Sequence, residues 1–271
     1  MSFSHASVVE TIRLTDRMQR IVLDVDDPAA LHISTEADSA VGVYFPTGAA
    51  DAAPQGRNYS VRYHNGPRLT IDVVLHAHGP GTEWASSARP GDRVALDHAR
   101  SWYRPEPETT WQLLVTDLSG LPATARILEE LSGDGPAILV AEVADPVDLD
   151  YLPHHPRLTA IPLIGTGNGC GPSALARTVR EIRLPEGRGY CWFAGEAAES
   201  RAVRKYLRGL GWSIDQYDIT GYWRSDSEAW DRRFAEVQVD VFQVYERALT
   251  DGKGDKVAFE EFDDACERIG L

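Results

Sequence analysis

The spacing of apolar residues changes once along the chain, near residues 104–110. Before that point apolar and polar residues alternate in short runs, as from Leu69 to Leu75. A period of two is typical of strands with one buried face. Turn-forming Gly, Pro, Asn and Asp separate these runs, for example at 65–67 and 89–92. The first part of the chain therefore predicts a small antiparallel β-barrel.

Beyond residue 110, short apolar runs alternate with helical patterns. The continuous run Ala137–Val143 is typical of a buried parallel strand, and Leu121–Leu131 has apolar residues at helical spacing with Pro122 in its first turn. The remaining predicted elements are strands Gln112–Thr116, Leu158–Ile164, Tyr190–Ala194 and Gln216–Thr220, and helices Pro172–Ile182 and Glu196–Leu210. This alternation predicts a doubly wound α/β domain.

The C-terminal residues predict a helical extension. Ser225–Glu228 fits a capping box, and a second short helix is expected over Phe259–Ile269. Apolar residues recur at helical spacing after the capping box, at Trp230, Phe234, Val237, Val241, Val244 and Ala248. This stripe needs a surface to pack on, either the α/β domain or a second copy of the chain. We accordingly predict three domains, over 1–104, 111–225 and 226–271.

Composition narrows the functional classes. The net charge of −14 and the pI of about 5.0 argue against nucleic acid as a partner. No apolar run is long enough to span a membrane, and Met1–Glu10 lacks the features of a secretory signal. Three widely separated cysteines predict neither a metal site nor a disulfide framework. We expect a protein of the reducing cytoplasm.

The segment Arg57-Asn58-Tyr59-Ser60 has side chains that suit a flat, anionic ligand. An arginine pairs with phosphate, a tyrosine stacks on a heteroaromatic ring, and a serine hydroxyl bonds to a ring heteroatom. The alternative is an ordinary barrel strand with a surface arginine.

Three further features are weak alone and agree with the ligand interpretation. His76 lies on the face opposite the apolar set of its strand, and Gly79–Trp84 predicts a turn into a helix whose free amides could bind a pyrophosphate. Thr116–Ser119 ends a strand directly before a helix. The glycine-rich segment Gly165–Gly171 lacks a nucleotide-binding signature, so we interpret it as a flexible connector without thiol catalysis by Cys170.

Taken together, these segments resemble the siderophore-interacting protein family over about residues 8–225. The likeness is carried by Arg57–Arg62, Val74-Leu75-His76, Gly79–Trp84, Arg89–Asp92, Asp117–Ala123, Trp192–Glu196 and Gly221–Arg224. The resemblance implies a ferredoxin-reductase-like FAD-binding barrel of six antiparallel strands, followed by an NAD(P)-binding-like α/β domain. It also implies reduction of Fe(III) in a siderophore to the more weakly held Fe(II).

The resemblance also implies roles for individual residues. Arg57, Tyr59 and Ser60 would hold the flavin ring and the adjoining phosphate, and His76 would contact the flavin or its ribityl–phosphate arm. Gly81, Thr82 and Trp84 would bind the diphosphate, and Asp117, Ser119 and Leu121 the adenosine end. Val74 is a further implied cofactor-binding residue. Gly195 and Glu196 match the motif where nicotinamide would dock, and Tyr222 and Trp223 would lie near the flavin. The chain departs from the usual family residues at Leu118, Gly120 and Thr82.

The implied substrate and donor leave alternatives open. Arg62 and Arg224 are the candidate cations for a ferric siderophore at the flavin mouth. The electron donor is NADH or NADPH, with reduced ferredoxin as the other possibility. No catalytic acid or base is predicted, because electron transfer through a flavin needs none. A general flavin reductase, an electron-transfer partner of another protein, and a flavin-binding storage or sensor protein are the alternative functions.

Overall fold

The computed structural model describes residues 4–46, 55–76, 79–131, 135–225 and 227–271, without the side chains of 55, 98–100 and 228. The chain forms two compact units, Met1–Tyr222 and Trp223–Leu271. The first unit contains a β-barrel and a parallel sheet, and the second contains the C-terminal helices.

Six antiparallel strands close into a barrel in the order β1-β2-β5-β4-β3-β6. They are β1 Ser4–Thr15, β2 Met18–Val25, β3 Ala40–Phe45, β4 Gln55–Asn65, β5 Arg68–Val74 and β6 Arg93–Arg100. The alternation seen in the sequence fills the barrel, since Leu69 and Ile71 of β5 pair with Leu23 and Ile21 of β2 and all four are fully buried. The predicted barrel is confirmed. Two short helices accompany it, α1 over Pro28–Leu31 and α2 over Pro80–Ser87.

The second part of this unit is a five-stranded sheet in the order β11-β10-β7-β8-β9. Its strands are β7 Trp111–Thr116, β8 Ala137–Val143, β9 Leu158–Ile164, β10 Gly189–Glu196 and β11 Tyr217–Trp223. β7 pairs in parallel with both β8 and β10, so the strand order reverses beside β7. Such a reversal opens a crevice at the carboxyl ends of the strands, where ligands bind in doubly wound folds.

Helices cover both faces of this sheet. They are α3 Leu121–Glu130, α4 Leu175–Glu181 and α5 Ala197–Gly209. Leu114 of β7 packs with Ile127 of α3 on one face, and Val115 packs with Val179 of α4 and Val203 of α5 on the other. The predicted doubly wound domain is thereby confirmed.

The glycine-rich segment that follows β9 is an anchored loop, which corrects its interpretation as a flexible connector. The Asn168 side chain accepts a hydrogen bond from the Leu118 amide (2.9 Å) and donates one to the Glu142 carbonyl (3.0 Å). The buried Glu142 carboxylate accepts from the Thr166 hydroxyl (2.8 Å) and the Ala174 amide (2.7 Å). These bonds hold the loop against the turn after β7, and α4 consequently begins later than the sequence predicts.

Polar contacts fix the barrel against the α/β part of the same unit. Arg126 of α3 donates to the Ser39 hydroxyl (2.9 Å) and to the carbonyls of Val61 (3.2 Å) and Thr35 (2.8 Å), on the barrel side. A second contact links the Tyr151 hydroxyl to the carboxylate of Asp72 in β5. The space between barrel and sheet is therefore bounded by directional bonds.

The second unit consists of two helices, α6 over Ser227–Thr250 and α7 over Asp255–Arg268. The apolar stripe of α6 packs on α7, where Val241 and Phe234 join Cys266 and Phe262 in one cluster. The stripe thus finds a surface within its own unit. The predicted capping box includes Asp226 and the Glu228 side chain, which lie outside the described residues. In the described ranges, none of the helices has the length and apolar character needed to span a membrane.

Candidate functional site

Strand β4 presents the predicted Arg-x-Tyr-Ser motif at three depths. Arg57 is exposed, Tyr59 is half-buried, and Ser60 is buried. The Arg57 guanidinium donates to the Gly56 carbonyl (2.8 Å). Among the described residues, the hydrogen-bond acceptor of Arg57 is this neutral backbone oxygen, so its charge is available to a ligand anion.

Tyr59 lies directly against the first turn of α2. A Cβ added at Gly81 would lie 2.5 Å from the Tyr59 hydroxyl and 3.9 Å from the Arg57 Cγ. Only glycine therefore lets the helix, the tyrosine and the arginine approach one another so closely. Burial raises the pKa of the Tyr59 hydroxyl, which stays protonated, and the nearby Arg57 charge opposes this shift.

The aromatic ring of Trp84 completes this side of the barrel. It stacks on Phe45 with ring centroids 5.1 Å apart and lies 6.3 Å from the Tyr59 ring. Trp84 is half-buried, and its contacts with the Phe45 and Tyr59 rings help to fix its position. The predicted Trp84 site residue is thus beside Tyr59.

The N-terminus of α2 has no described side chain bonded to its amides. Its N-cap is Gly79, which has no side chain to offer, and Pro80 follows. The Thr82 hydroxyl accepts from the His76 amide (3.1 Å), and the exposed His76 ring packs beside Gly79. Unbonded amides at a helix N-terminus attract anions, so this turn is suited to phosphate.

A cavity of about 240 Å³ opens beside the motif, between the barrel and β11. The Ser60 hydroxyl bonds to the Tyr222 hydroxyl (3.4 Å) at its edge. Its described lining is Asp38, Ala40, Gly56, Arg57, Asn58, Tyr59, Ser60, Ser101, Trp102, Thr220, Gly221 and Tyr222. The volume is below the roughly 300–1,000 Å³ typical of small-molecule pockets, so it accommodates one end of a long ligand.

The N-termini of α4 and α5, at the carboxyl edge of the sheet, are bonded by carboxylates of the chain itself. Glu196 accepts from the Ala198 amide (2.6 Å) at the start of α5. Glu199 accepts from the Ala176 amide (2.6 Å) in α4, next to the Glu142 contact at Ala174. These amides are occupied, in contrast to those of α2.

Two residues predicted to contact adenosine are directed inward, which corrects their assignment. Asp117 is 1% exposed and accepts from the Ser119 amide (2.8 Å), so it caps the turn before α3. Leu121 is fully buried with Met18 and Val143 in an apolar cluster. Ser119 bonds to Asp117 through its hydroxyl as well. Val74 packs, half-buried, against the same cluster as Leu121.

Gly195 has a packing role in this region. A Cβ added there would lie 3.0 Å from the Asp117 carboxylate. The glycine therefore lets β10 approach the turn that Asp117 caps.

Arg62 is buried and paired, and it is not in the described lining of the cavity, which corrects its prediction as a cation that meets the substrate. Its side chain is 4% exposed and forms two hydrogen bonds to the Glu129 carboxylate of α3 (2.6 and 2.5 Å). The guanidinium also lies 4.2 Å from the centre of the Tyr63 ring. The bond to Arg62 lowers the pKa of Glu129, although partial burial acts in the opposite direction. Arg62 is a structural cation that joins strand β4 of the barrel to helix α3.

The remaining predicted residues lie at the end of β11. Tyr222 lines the cavity, whereas Trp223 and Arg224 belong to the second unit. The Arg224 guanidinium lies 4.2 Å from the Trp230 ring centre and 4.0 Å from the Asp263 carboxylate, both in that unit.

Several residues of the cavity were not predicted from the sequence. Asp38, Asn58, Ser101 and Trp102 lie in its lining. Asn58 stands within the motif, and its exposed position between Arg57 and Tyr59 could have indicated a role. Asp38 and Trp102 have no local signal, because the contacts that bring them together join segments far apart in the sequence.

Comparisons with known proteins agree with this site. The family model described as Siderophore-interacting FAD-binding domain matches residues 47–100, and the one described as Siderophore-interacting protein matches residues 109–226. The first match covers the motif of β4 and helix α2, and it confirms FAD as the predicted cofactor of the barrel.

Individual relatives show the same pattern. The chain is 30% identical to a ferric vibriobactin reductase of Vibrio cholerae over 57% of its own length and only 59% of that protein's length. It is 24% identical to an NADPH-dependent ferric-chelate reductase of Escherichia coli over 83% of this chain and 94% of that one. A solved siderophore utilization protein from T. fusca aligns with a TM-score of 0.74 and 29% identity, covering 83% of this chain and 94% of that one.

Proposed function

Because the chain belongs to the siderophore-interacting protein family, we propose that it is an FAD-dependent reductase of ferric siderophores that uses NADH or NADPH. The observation that carries the proposal is the convergence of Arg57, Tyr59 and the first turn of α2 at one point of the barrel. A cation, an aromatic ring and unbonded helix amides together match a cofactor with both a flat ring and phosphates.

The residues present fit FAD on structural grounds. The absence of a side chain at Gly81 lets Tyr59 and Arg57 lie against the first turn of α2, and the neighbouring cavity has room for one end of a long cofactor. In the proposed complex, Arg57 and the α2 amides bind the phosphates, and Tyr59, Ser60 and Tyr222 adjoin the ring. Thr82 and His76 keep the turn before α2 in place through their hydrogen bond.

The proposed reaction requires little acid or base chemistry from the protein. FAD, when bound, links the two-electron chemistry of nicotinamide to the single electron that each Fe(III) accepts. In the proposed complex the residues that line the cavity would hold the ring, with Tyr59 beside it. The half-buried, protonated Tyr59 suits this role because it adds no charge to the site.

The donor would approach at the switch point beside β7, where β10 ends in Gly195 and Glu196. Since Glu196 and Glu199 bond to the helix amides there, the donor's phosphates need other partners. NADH or NADPH is the proposed donor, with reduced ferredoxin as the alternative to be tested.

Two further assignments complete the proposal. Ferric siderophores present negatively polarised oxygens, and Arg224 remains the proposed substrate-side cation. The proposed location is the cytoplasm, where thiols persist, because Cys170, Cys191 and Cys266 are free thiols in the structure. Cell fractionation with an antibody to the protein tests the location.

The function is tested on purified full-length protein in two steps. Absorption spectroscopy after incubation with FAD and removal of free cofactor reports binding. Ferric siderophores are then offered with NADH, NADPH or reduced ferredoxin, and Fe(II) is trapped by a ferrous-specific chelator. Free FAD at the same concentration is the matched control.

We expect a bound flavin spectrum and Fe(II) formation with a nicotinamide donor that exceeds the free-FAD control. A protein that binds no FAD contradicts every flavin function. A protein that binds FAD and reduces free flavins or a redox protein, but no ferric siderophore, is instead a general flavin reductase or an electron-transfer partner.

A further inference from the structure

One acidic residue lines the cavity beside the Arg-x-Tyr-Ser motif. Asp38, which precedes β3, is the single acidic residue among the described residues of the lining. It is 8% exposed, so water screens its charge weakly. Burial of a carboxylate is costly unless hydrogen bonds compensate it, and its partners therefore determine what this charge can do.

Neutral donors from distant parts of the first unit hold Asp38 in place. The Trp102 amide donates to both carboxylate oxygens (3.2 Å each), and the Ser101 hydroxyl donates to one of them. The Trp192 indole of β10 donates from the sheet (3.3 Å). Within the described part of the chain, no ion pair with Asp38 is found that would cancel its charge.

Neighbouring groups respond to this charge. Burial raises the pKa of the Tyr103 hydroxyl to about 12, a hydrogen bond with Gln112 opposes the shift, and the charge of Asp38 adds to it. The Asp38 charge is also a minor cause of the raised pKa of Tyr190, after burial and the charge of Asp218. Asp38 therefore acts on its surroundings as a charge, and the cavity that it lines belongs to those surroundings.

We propose that Asp38 is a fixed negative charge that keeps the bound flavin strongly reducing. The proposal rests on the proposed FAD-dependent function, because the flavin ring would occupy the cavity. Reduction adds negative charge to the ring, and a carboxylate held nearby opposes that addition. Arg57, the cation of the same lining, is neutralised by cofactor phosphate in the proposed complex, so it does not cancel Asp38.

A strongly reducing flavin suits the proposed substrate. A siderophore binds Fe(III) far more tightly than Fe(II), so its iron accepts an electron only from a strong reductant. Asp38 thereby acts through the flavin, because its charge sets the midpoint potential of the flavin.

The test is the midpoint potential of bound FAD, measured by dye-coupled reductive titration of the holoprotein. Asp38→Asn removes the charge and is expected to raise the potential by about 30 mV, equal to a tenfold change for a two-electron couple. Asp38→Glu keeps the charge and is expected to leave the potential close to the unsubstituted value. Ser101→Ala removes a donor that disperses the charge, so it is expected to lower the potential.

The opposite signs of the two shifts distinguish a charge effect from general damage. Equal potentials in Asp38→Asn and the unsubstituted protein, with FAD bound to both, overturn the proposal. If Asp38→Asn does not retain FAD, the midpoint potential of Ser101→Ala is the deciding measurement. A potential that is unchanged or raised relative to the unsubstituted protein overturns the proposal. An unsubstituted protein without bound FAD refutes the proposed function itself, which the spectrum shows before any titration.

Discussion

The helix N-termini of α2 in the barrel and α5 beside the parallel sheet differ in what their amides bond to. At α2 the N-cap is Gly79, and no described side chain bonds to the first turn. At α5 the Glu196 carboxylate accepts from the amides of Ala198 (2.6 Å) and Glu199 (3.2 Å). Both ends attract anions through the same dipole, but α5 already has its anion within the chain.

This difference separates two ways in which the chain uses charge. Around the barrel motif, Arg57 and the α2 amides are left for a ligand, and glycine at position 81 keeps the approach open. Around the sheet, Glu142, Glu196 and Glu199 bond to the chain's own amides and stabilise its loops and helices. We therefore expect substitutions at the first site to change cofactor affinity, and substitutions at the second to change stability.

Removal of the Arg57 cation should have the largest effect. Arg57→Ala is expected to raise the dissociation constant of FAD about 100-fold, about 2.8 kcal/mol, because a cofactor phosphate loses a charged partner. Flavin fluorescence titration of the apoprotein measures this change. Arg68→Ala is the matched control, since Arg68 is 52% exposed and lies 3.8 Å from Asp24 on the barrel surface. Equal dissociation constants of FAD for the two variants would contradict a role of Arg57 in binding the cofactor.

Glu129→Gln tests the structural use of charge on the α/β side. It leaves the buried Arg62 without its anion and is expected to lower the free energy of unfolding by about 2 kcal/mol at neutral pH, without changing FAD affinity. The pKa of Glu129 is lowered in the folded protein, so the stabilisation is present above the ordinary glutamate pKa and is lost as pH falls through the folded value.

Urea unfolding at pH 7 and in acid measures this difference between Glu129→Gln and the unsubstituted protein. The difference should shrink in acid, where the unsubstituted protein also loses the Glu129 charge. Glu130→Gln is the control, because the Arg126–Glu130 pair is half-exposed and contributes only about 0.3–0.5 kcal/mol. A difference that grew in acid would contradict the assignment.

The features that the sequence could predict are set by neighbouring residues, and the features that it missed depend on contacts between distant segments. Strands β8 and β9 have the predicted bounds, and the barrel follows from alternation, because these patterns are set by neighbouring residues. Arg62 was predicted wrongly because alternation gives the side of a strand and not what covers it, and Glu129 lies far along the chain. The burial of Leu121 and the anchoring of Asn168 likewise depend on contacts between distant segments.

Gly81→Ala tests the close approach of α2 to Tyr59, and its expected effect on FAD affinity is smaller than that of Arg57→Ala. Its Cβ would lie 2.5 Å from the Tyr59 hydroxyl, so the ring must move and the dissociation constant of FAD should rise about tenfold, about 1.4 kcal/mol. In the double variant Gly81→Ala/Tyr59→Phe the nearest ring carbon lies 3.7 Å away, an ordinary contact, and affinity should recover. Gly171→Ala is the control, since its Cβ would contact nothing within 4 Å. An affinity loss that Tyr59→Phe does not relieve would show that the clash is not its cause.

Glu196→Ala should have the smallest effect and probes the other helix. Loss of this cap is expected to lower the free energy of unfolding by about 1 kcal/mol in urea, and Glu196→Gln, which keeps an acceptor oxygen, should lose less. FAD affinity should stay unchanged in both variants if the flavin phosphates bind at α2. The freed amides of α5 would then be open to an anion, so binding of NAD⁺ or NADP⁺, followed by calorimetry, should not weaken in Glu196→Ala. Weaker FAD binding in Glu196→Ala would mean that the cofactor depends on the sheet edge, and the contrast between the two helices would fail.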